Sequence, residues 1–171
     1  MKTRDVQRAE PRHDLMKSHK IREEVHDTYQ TRKKFREPSV CRQCDAVYHE
    51  GRWQWLEESP QGAFPDLCPA CHRINDKYPA GEMMLAGTFF AAHREEIMHM
   101  VRNEAEAETA EHPLHRIMGI EEHPEQVVVT TTDIHLPRRI GHALEDSYKG
   151  KMEIHFDIEG HFARMKWHRD D

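Results

Sequence analysis

The sequence predicts an α+β protein: a four-cysteine zinc ribbon followed by a long helix and a β-α-β-β layer. Three observations lead there. Two Cys-x-x-Cys pairs, Cys41/Cys44 and Cys68/Cys71, stand 23 residues apart. A β-branched run, "QVVVTTT", precedes a segment with helical spacing. Two alternating stretches, "KMEIHFDI" and "HFARMKWH", flank Glu159-Gly160.

The cysteine pairs come first, because "CPACH" (Cys68 to His72) has a second meaning as a covalent haem site with His72 on the iron. A second Cys-x-x-Cys pair tips the reading to metal. Two knuckles supply the four soft thiolates of a closed tetrahedral zinc site, and such a site is structural because no position stays open for substrate. One zinc on Cys41, Cys44, Cys68 and Cys71 is therefore expected, and haem is not. The first twenty residues lack an apolar core, so no export signal is expected, and no window is apolar enough to span a membrane. The cytoplasm is the expected location, where thiols stay reduced and serve as ligands rather than disulfides.

The 171 residues divide into three parts. Residues 1–38 carry 11 Lys/Arg against 7 Asp/Glu and lack a sustained period, so they read as a basic, flexible arm. Ile21, Val25 and Tyr29 step at helical spacing within it. Residues 39–80 form the ribbon. "YHEGRWQWLEE" alternates around a turn at Gly51, with Trp53 and Trp55 on one face, either shielding the knuckles or offered for base stacking. Residues 82–169 form the α+β domain.

That domain is expected to begin with one helix over 82–111. Ala86, Phe90, His93, Ile97 and Val101 share a stripe, and Pro113 stops it. "PLHRIM" reads as a single turn and "GIEEHPEQ" as a loop. Residues 82–125 carry 10 Asp/Glu against 3 Lys/Arg, an acidic surface suited to a protein partner. The β-α-β-β layer covers 126–168. Its helix, "LPRRIGHALEDSY", follows a cap at or just after Asp133, places Ile140, Leu144 and Tyr148 on one face, and ends at Gly150. A two-residue turn at Glu159-Gly160 would set Phe156 opposite Ala163, Ile154 opposite Met165 and Met152 opposite Trp167, all on one apolar face. The other face would pair Glu153 with Lys166 and His155 with Arg164.

The catalytic signatures are sparse. The chain lacks H-E-x-x-H, G-x-S-x-G and the P-loop. Three Glu-x-x-His pairs occur, but a chain this rich in Glu and His produces them by chance. Asp133, His135 and His142 bracket the start of the C-terminal helix and make a candidate metal or proton-shuttle cluster, the basis of an enzyme alternative. A candidate RNA face is better populated. Arg138, Arg139, His155, Phe162, Arg164, Lys166 and His168, with Trp53 and Trp55 from the ribbon, combine cations and aromatics on an open sheet and a helix start.

The paired knuckles, Thr131-Thr132-Asp133, Arg138-Arg139-Ile140-Gly141 and the closing Trp167-His168-Arg169 resemble an archaeal and bacterial zinc-ribbon family. That family is similar to the N-terminal part of the eukaryotic adaptor that exports the large ribosomal subunit. The resemblance covers about residues 40–169 and implies a structural zinc and association with RNA or the ribosome. The adaptor's later domains have no counterpart here, and nuclear export is not implied. The expectation is a non-catalytic zinc-ribbon protein that binds RNA or the ribosome, as an accessory or stress-time translation factor. Its alternatives are a protein–protein adaptor docking through 82–125 and an enzyme using Asp133, His135 and His142.

Overall fold

The structure is a computed structural model describing Tyr29 and residues 35–171. The arm before Phe35, with its helical spacing, lies outside the described residues except for Tyr29.

Three-residue strands build the first sheet: β1 (Ser39–Cys41), β2 (Val47–His49), β3 (Arg52–Gln54) and β4 (Phe64–Asp66), in the order β3-β2-β1-β4. The β2–β3 hairpin turns at Glu50 and Gly51, both at positive φ, as the Gly51 signal predicts. Helix α1 (Pro69–Asp76) follows, started by Cys68 with Pro69 in its first turn and stopped by Lys77 in the left-handed region. Phe35, Tyr48 and Trp53 meet ring to ring at 5.1–5.6 Å and form the aromatic part of a small core.

The second sheet has five strands: β5 (Gly81–Ala86), β6 (Ile117–Glu122), β7 (Gln126–Thr131), β8 (Lys151–Phe156) and β9 (Ala163–His168), in the order β6-β7-β5-β9-β8. Helices α2 (Thr88–Ala92), α3 (Arg94–Glu111) and α4 (His135–Tyr148) complete the chain. One sheet face and the apolar sides of α3 and α4 enclose Met83, Leu85, Ile97, Val129, Ile140, Leu144, Met165 and Trp167.

The single helix expected over 82–111 is not what forms. Residues 81–86 are the central strand, paired antiparallel with β7 and parallel with β9, and the helical part begins after Gly87. Met83 and Leu85 favour helix intrinsically, but burial on one face of a central strand overrides that preference. Gly87 marks the break. It sits at φ 112°, and a Cβ there would lie 2.0 Å from the Arg169 carbonyl oxygen, so only glycine lets the last strand pass. The expected turn and loop over 114–125 likewise gives way to the edge strand β6.

Residues 126–168 follow the expected order of strand, helix and hairpin. The register is Phe156↔Ala163, Ile154↔Met165 and Met152↔Trp167. The turn is wider than the expected two residues. Asp157 N–H donates to the Phe162 carbonyl, and the Asp157 carboxylate accepts from His161 N and Phe162 N, so four residues close the loop without shifting the register. Among the described residues no helix covers the opposite face of this sheet.

Candidate metal centre

The first knuckle is a tight turn at the end of β1. Asp45 N–H donates to the Cys41 carbonyl and Cys41 N–H to Ala46, which brings Cys44 back beside Cys41. The second is the start of α1. Cys68 is the helix cap, its sulfur accepting from Cys71 N–H at 3.4 Å, while Cys68 N–H points at the Cys41 sulfur at 3.4 Å. Backbone N–H groups aimed at sulfur favour thiolate over thiol.

All four sulfurs lie within 4.8 Å of one another, compatible with a single metal ion. Ligands about 2.3 Å from a tetrahedral ion stand about 3.8 Å apart. The Cys44 and Cys68 sulfurs are 3.7 Å apart. Cys41, Cys68 and Cys71 are buried and Cys44 is partly so. Cys68 and Cys71 thus turn inward to the other pair while His72 is exposed, an arrangement that does not suit a porphyrin bonded at both thiols with His72 on its iron.

One side chain from the other domain closes the cluster. Arg116, just before β6, donates from Nη2 to the sulfurs of Cys68 at 3.2 Å, Cys71 at 3.3 Å and Cys44 at 3.7 Å. Four thiolates around a divalent ion leave two negative charges, and a guanidinium against three of the sulfurs offsets one of them. The thiols share protons unevenly. Hydrogen bonding with the Cys68 sulfur brings Cys44 down to about 5 although burial opposes it, while that same bond and burial push Cys68 up. Burial raises Cys71 against the pull of Arg116. Nothing in the sequence near Arg116 signals this role, because its sulfur partners are 45 to 72 residues away.

The candidate RNA residues divide into three groups. Trp53 is 8% exposed and belongs to the small core, whereas Trp55 is 38% exposed and donates from its indole N–H to the Thr109 carbonyl. Arg139 leaves the helix start for α3, where it pairs with Glu104 at 3.2 Å and Glu108 at 2.5 Å. The open sheet face gathers His155, Arg164, Lys166 and His168. There Arg164 lies over the Phe162 ring and pairs with Glu82, His168 pairs with Asp170, and Glu153 takes Lys151 as its ion-pair partner. Arg138 is exposed one turn from His142.

The Asp133, His135 and His142 trio does not assemble. His142 faces Glu145 and Arg138 along the exposed side of α4. His115 takes its place beside Asp133 and His135. Its Nε2 is 3.8 Å from Asp133 Oδ2, its ring centre is 5.6 Å from that of His135, and its Nδ1 is 2.7 Å from Glu108 Oε1. Burial works against ionised Glu108, but hydrogen bonds from His115 and Arg139 outweigh it and hold the carboxyl below its usual range.

A more apolar groove runs between α3 and β6. Trp55, Ala105, Ala110, Ile117 and Ile120 line it, with Arg102 and Glu106 also in its walls, around a volume of about 540 Å³. Among the described residues no helix is long and apolar enough to cross a membrane. Comparison with known proteins finds no matching family model, no matching curated protein and no matching solved structure.

Proposed function

We propose that this chain is a non-catalytic, zinc-organised binding protein of the cytoplasm whose target is RNA, on the ribosome or free. The closed thiol cluster is the observation that carries the non-catalytic part. Four sulfurs and the Arg116 guanidinium surround one point, so a zinc held there has its coordination filled and serves to shape residues 41–71.

The RNA part is supported by the sheet face that no described helix covers and by the basic stretch 1–38. Lys166 and His155 stand on that face, with Arg164 stacked over Phe162 beside them. Cations with an aromatic on an open sheet suit phosphate contact and base stacking. Glu82, Glu153 and Asp170 pair with cations there, so attraction is modest and salt-sensitive.

Sedimentation of a lysate through low-salt and high-salt gradients tests this reading. The protein is expected with ribosomal particles or RNA at low salt, released by nuclease or salt, and Lys166→Glu weakens that association with zinc content unchanged. A protein that stays at the top of the low-salt gradient contradicts it. The groove between α3 and β6 favours a second reading, an adaptor that seats an apolar segment of a protein partner beside the acidic helix. Association that survives nuclease and is lost with Trp55→Ala supports the adaptor instead.

A further inference from the structure

The interface between the four-cysteine module and the sheet domain holds a second group of ligating side chains. His115 and Asp133 sit on the sheet side, Glu108 comes from α3, and His135 opens α4. His115, Asp133 and His135 border a cavity of about 130 Å³ that Pro69, Ala70 and Arg73 of α1 also line. That space admits an ion with waters beside it.

The hydrogen bonding fixes what His115 presents. An ionised Glu108 can only accept, so the 2.7 Å contact puts a proton on His115 Nδ1. In a neutral ring the lone pair is then on Nε2, and Nε2 faces Asp133 Oδ2 at 3.8 Å, too far for a hydrogen bond. A neutral ring would thus turn its free nitrogen toward the Asp133 carboxyl across that gap. Asp133 Oδ2 also accepts from His135 N and Leu136 N, which anchors the carboxylate, and Asp133 Oδ1 is buried with no hydrogen-bonding partner. A carboxylate behind one imidazole nitrogen with a second ligand in front of the other is the usual surrounding of a metal-bound histidine.

We propose that His115, Asp133 and His135 form a second metal site, open to the cavity, for a divalent transition-metal ion. Ligands about 2.1 Å from an ion in near-tetrahedral geometry lie about 3.4 Å apart, so the 3.8 Å gap closes with a small side-chain movement. His135 is exposed at the start of α4, and its ring must turn to complete the set. Among the described residues only the four cysteines already have every ligand atom within 4.8 Å of the others. Two imidazoles and one carboxylate select zinc, cobalt, nickel or iron over magnesium and calcium. With three protein ligands, the remaining positions face the cavity, unlike the closed thiolate site.

Cobalt titration of the full-length, metal-free chain separates the two sites. Cobalt on four thiolates gives intense sulfur-to-metal charge-transfer absorption, and cobalt on nitrogen and oxygen gives only weak visible bands. Two equivalents are expected, one with and one without charge transfer. His135→Ala removes an exposed ring and should leave the first equivalent intact while weakening the second at least about tenfold. His115→Gln should do the same, with far-ultraviolet circular dichroism as the check on folding. Saturation at one equivalent overturns the proposal. A second equivalent that binds His135→Ala as tightly as the unaltered chain overturns it too. Loss of the charge-transfer band would instead count against the thiolate site, so the two claims fail separately.

Discussion

Among the described residues, seven buried ones make the core of the four-cysteine module, three of them cysteines and two alanines, leaving Tyr48 and Trp53 as its large members. The sheet domain buries fourteen, nearly all large: Trp167, Phe90, Met83, Leu85, Ile97, Leu136, Ile140, Leu144 and others. A buried large aliphatic or aromatic side chain contributes about 1.5–3 kcal/mol by leaving water. On this balance the sheet region is expected to fold by itself, and the described cysteine module, with strands of three residues, is expected to need its metal. The difference teaches that a metal on the four sulfurs would do in one region what side-chain packing does in the other.

Breaking the metal site should have the largest effect. Structural zinc in small domains contributes about 10–16 kcal/mol of apparent binding energy. Cys68→Ser is expected to lose the metal and open residues 39–80 to protease, while a fragment starting near Gly81 survives; metal analysis with limited proteolysis checks both halves. Next comes the opposite experiment. Trp167 is fully buried, and its indole N–H donates to the Lys149 carbonyl at 2.8 Å. Trp167→Ala should cost about 3–5 kcal/mol, read as a lower midpoint in denaturant with zinc content unchanged.

A smaller effect probes the seam. Arg116→Leu removes the guanidinium from the thiolates and should lower metal affinity by about 10–100-fold in a competitive chelator titration, with the sheet domain's midpoint nearly unaltered. The smallest effect is on the open face. The Arg164–Glu82 pair is half-exposed, so Arg164→Ala should change stability by less than about 1 kcal/mol while reducing the salt dependence of the proposed RNA binding.

The sequence shows most where local rules and tertiary structure agree. The β-branched run 127–131, the Ile140/Leu144 stripe, Gly150 and the alternation of 151–168 each demand the element that forms, and the hairpin register follows from the apolar face alone. The Cys-x-x-Cys spacing locates the four sulfurs for the same reason. It fails at β5, where Met83, Met84 and Leu85 favour helix and the Ala86–Phe90–His93–Ile97 stepping invites extending one backwards. Only the strands on either side, whose paired residues lie 40 to 82 positions later, make this segment a strand. The edge strand β6 is hidden by Gly119 and its acidic end. Arg116 shares that property, since its sulfur partners lie 45 to 72 residues away; His115 and Glu108 are seven residues apart, but Asp133 and Arg139, which complete their surroundings, come from other elements, so no local pattern marks the group.

Amide hydrogen exchange of the full-length protein, with its metal bound and after chelation under reducing conditions, measures the contrast between the two regions in one experiment. Chelation is expected to release protection at Val40, Val47, Tyr48 and Trp53 and to leave the central strands 81–86, 127–131 and 163–167 protected. Unchanged protection of residues 39–80 after complete removal of metal, or loss of protection across both regions together, would contradict the account.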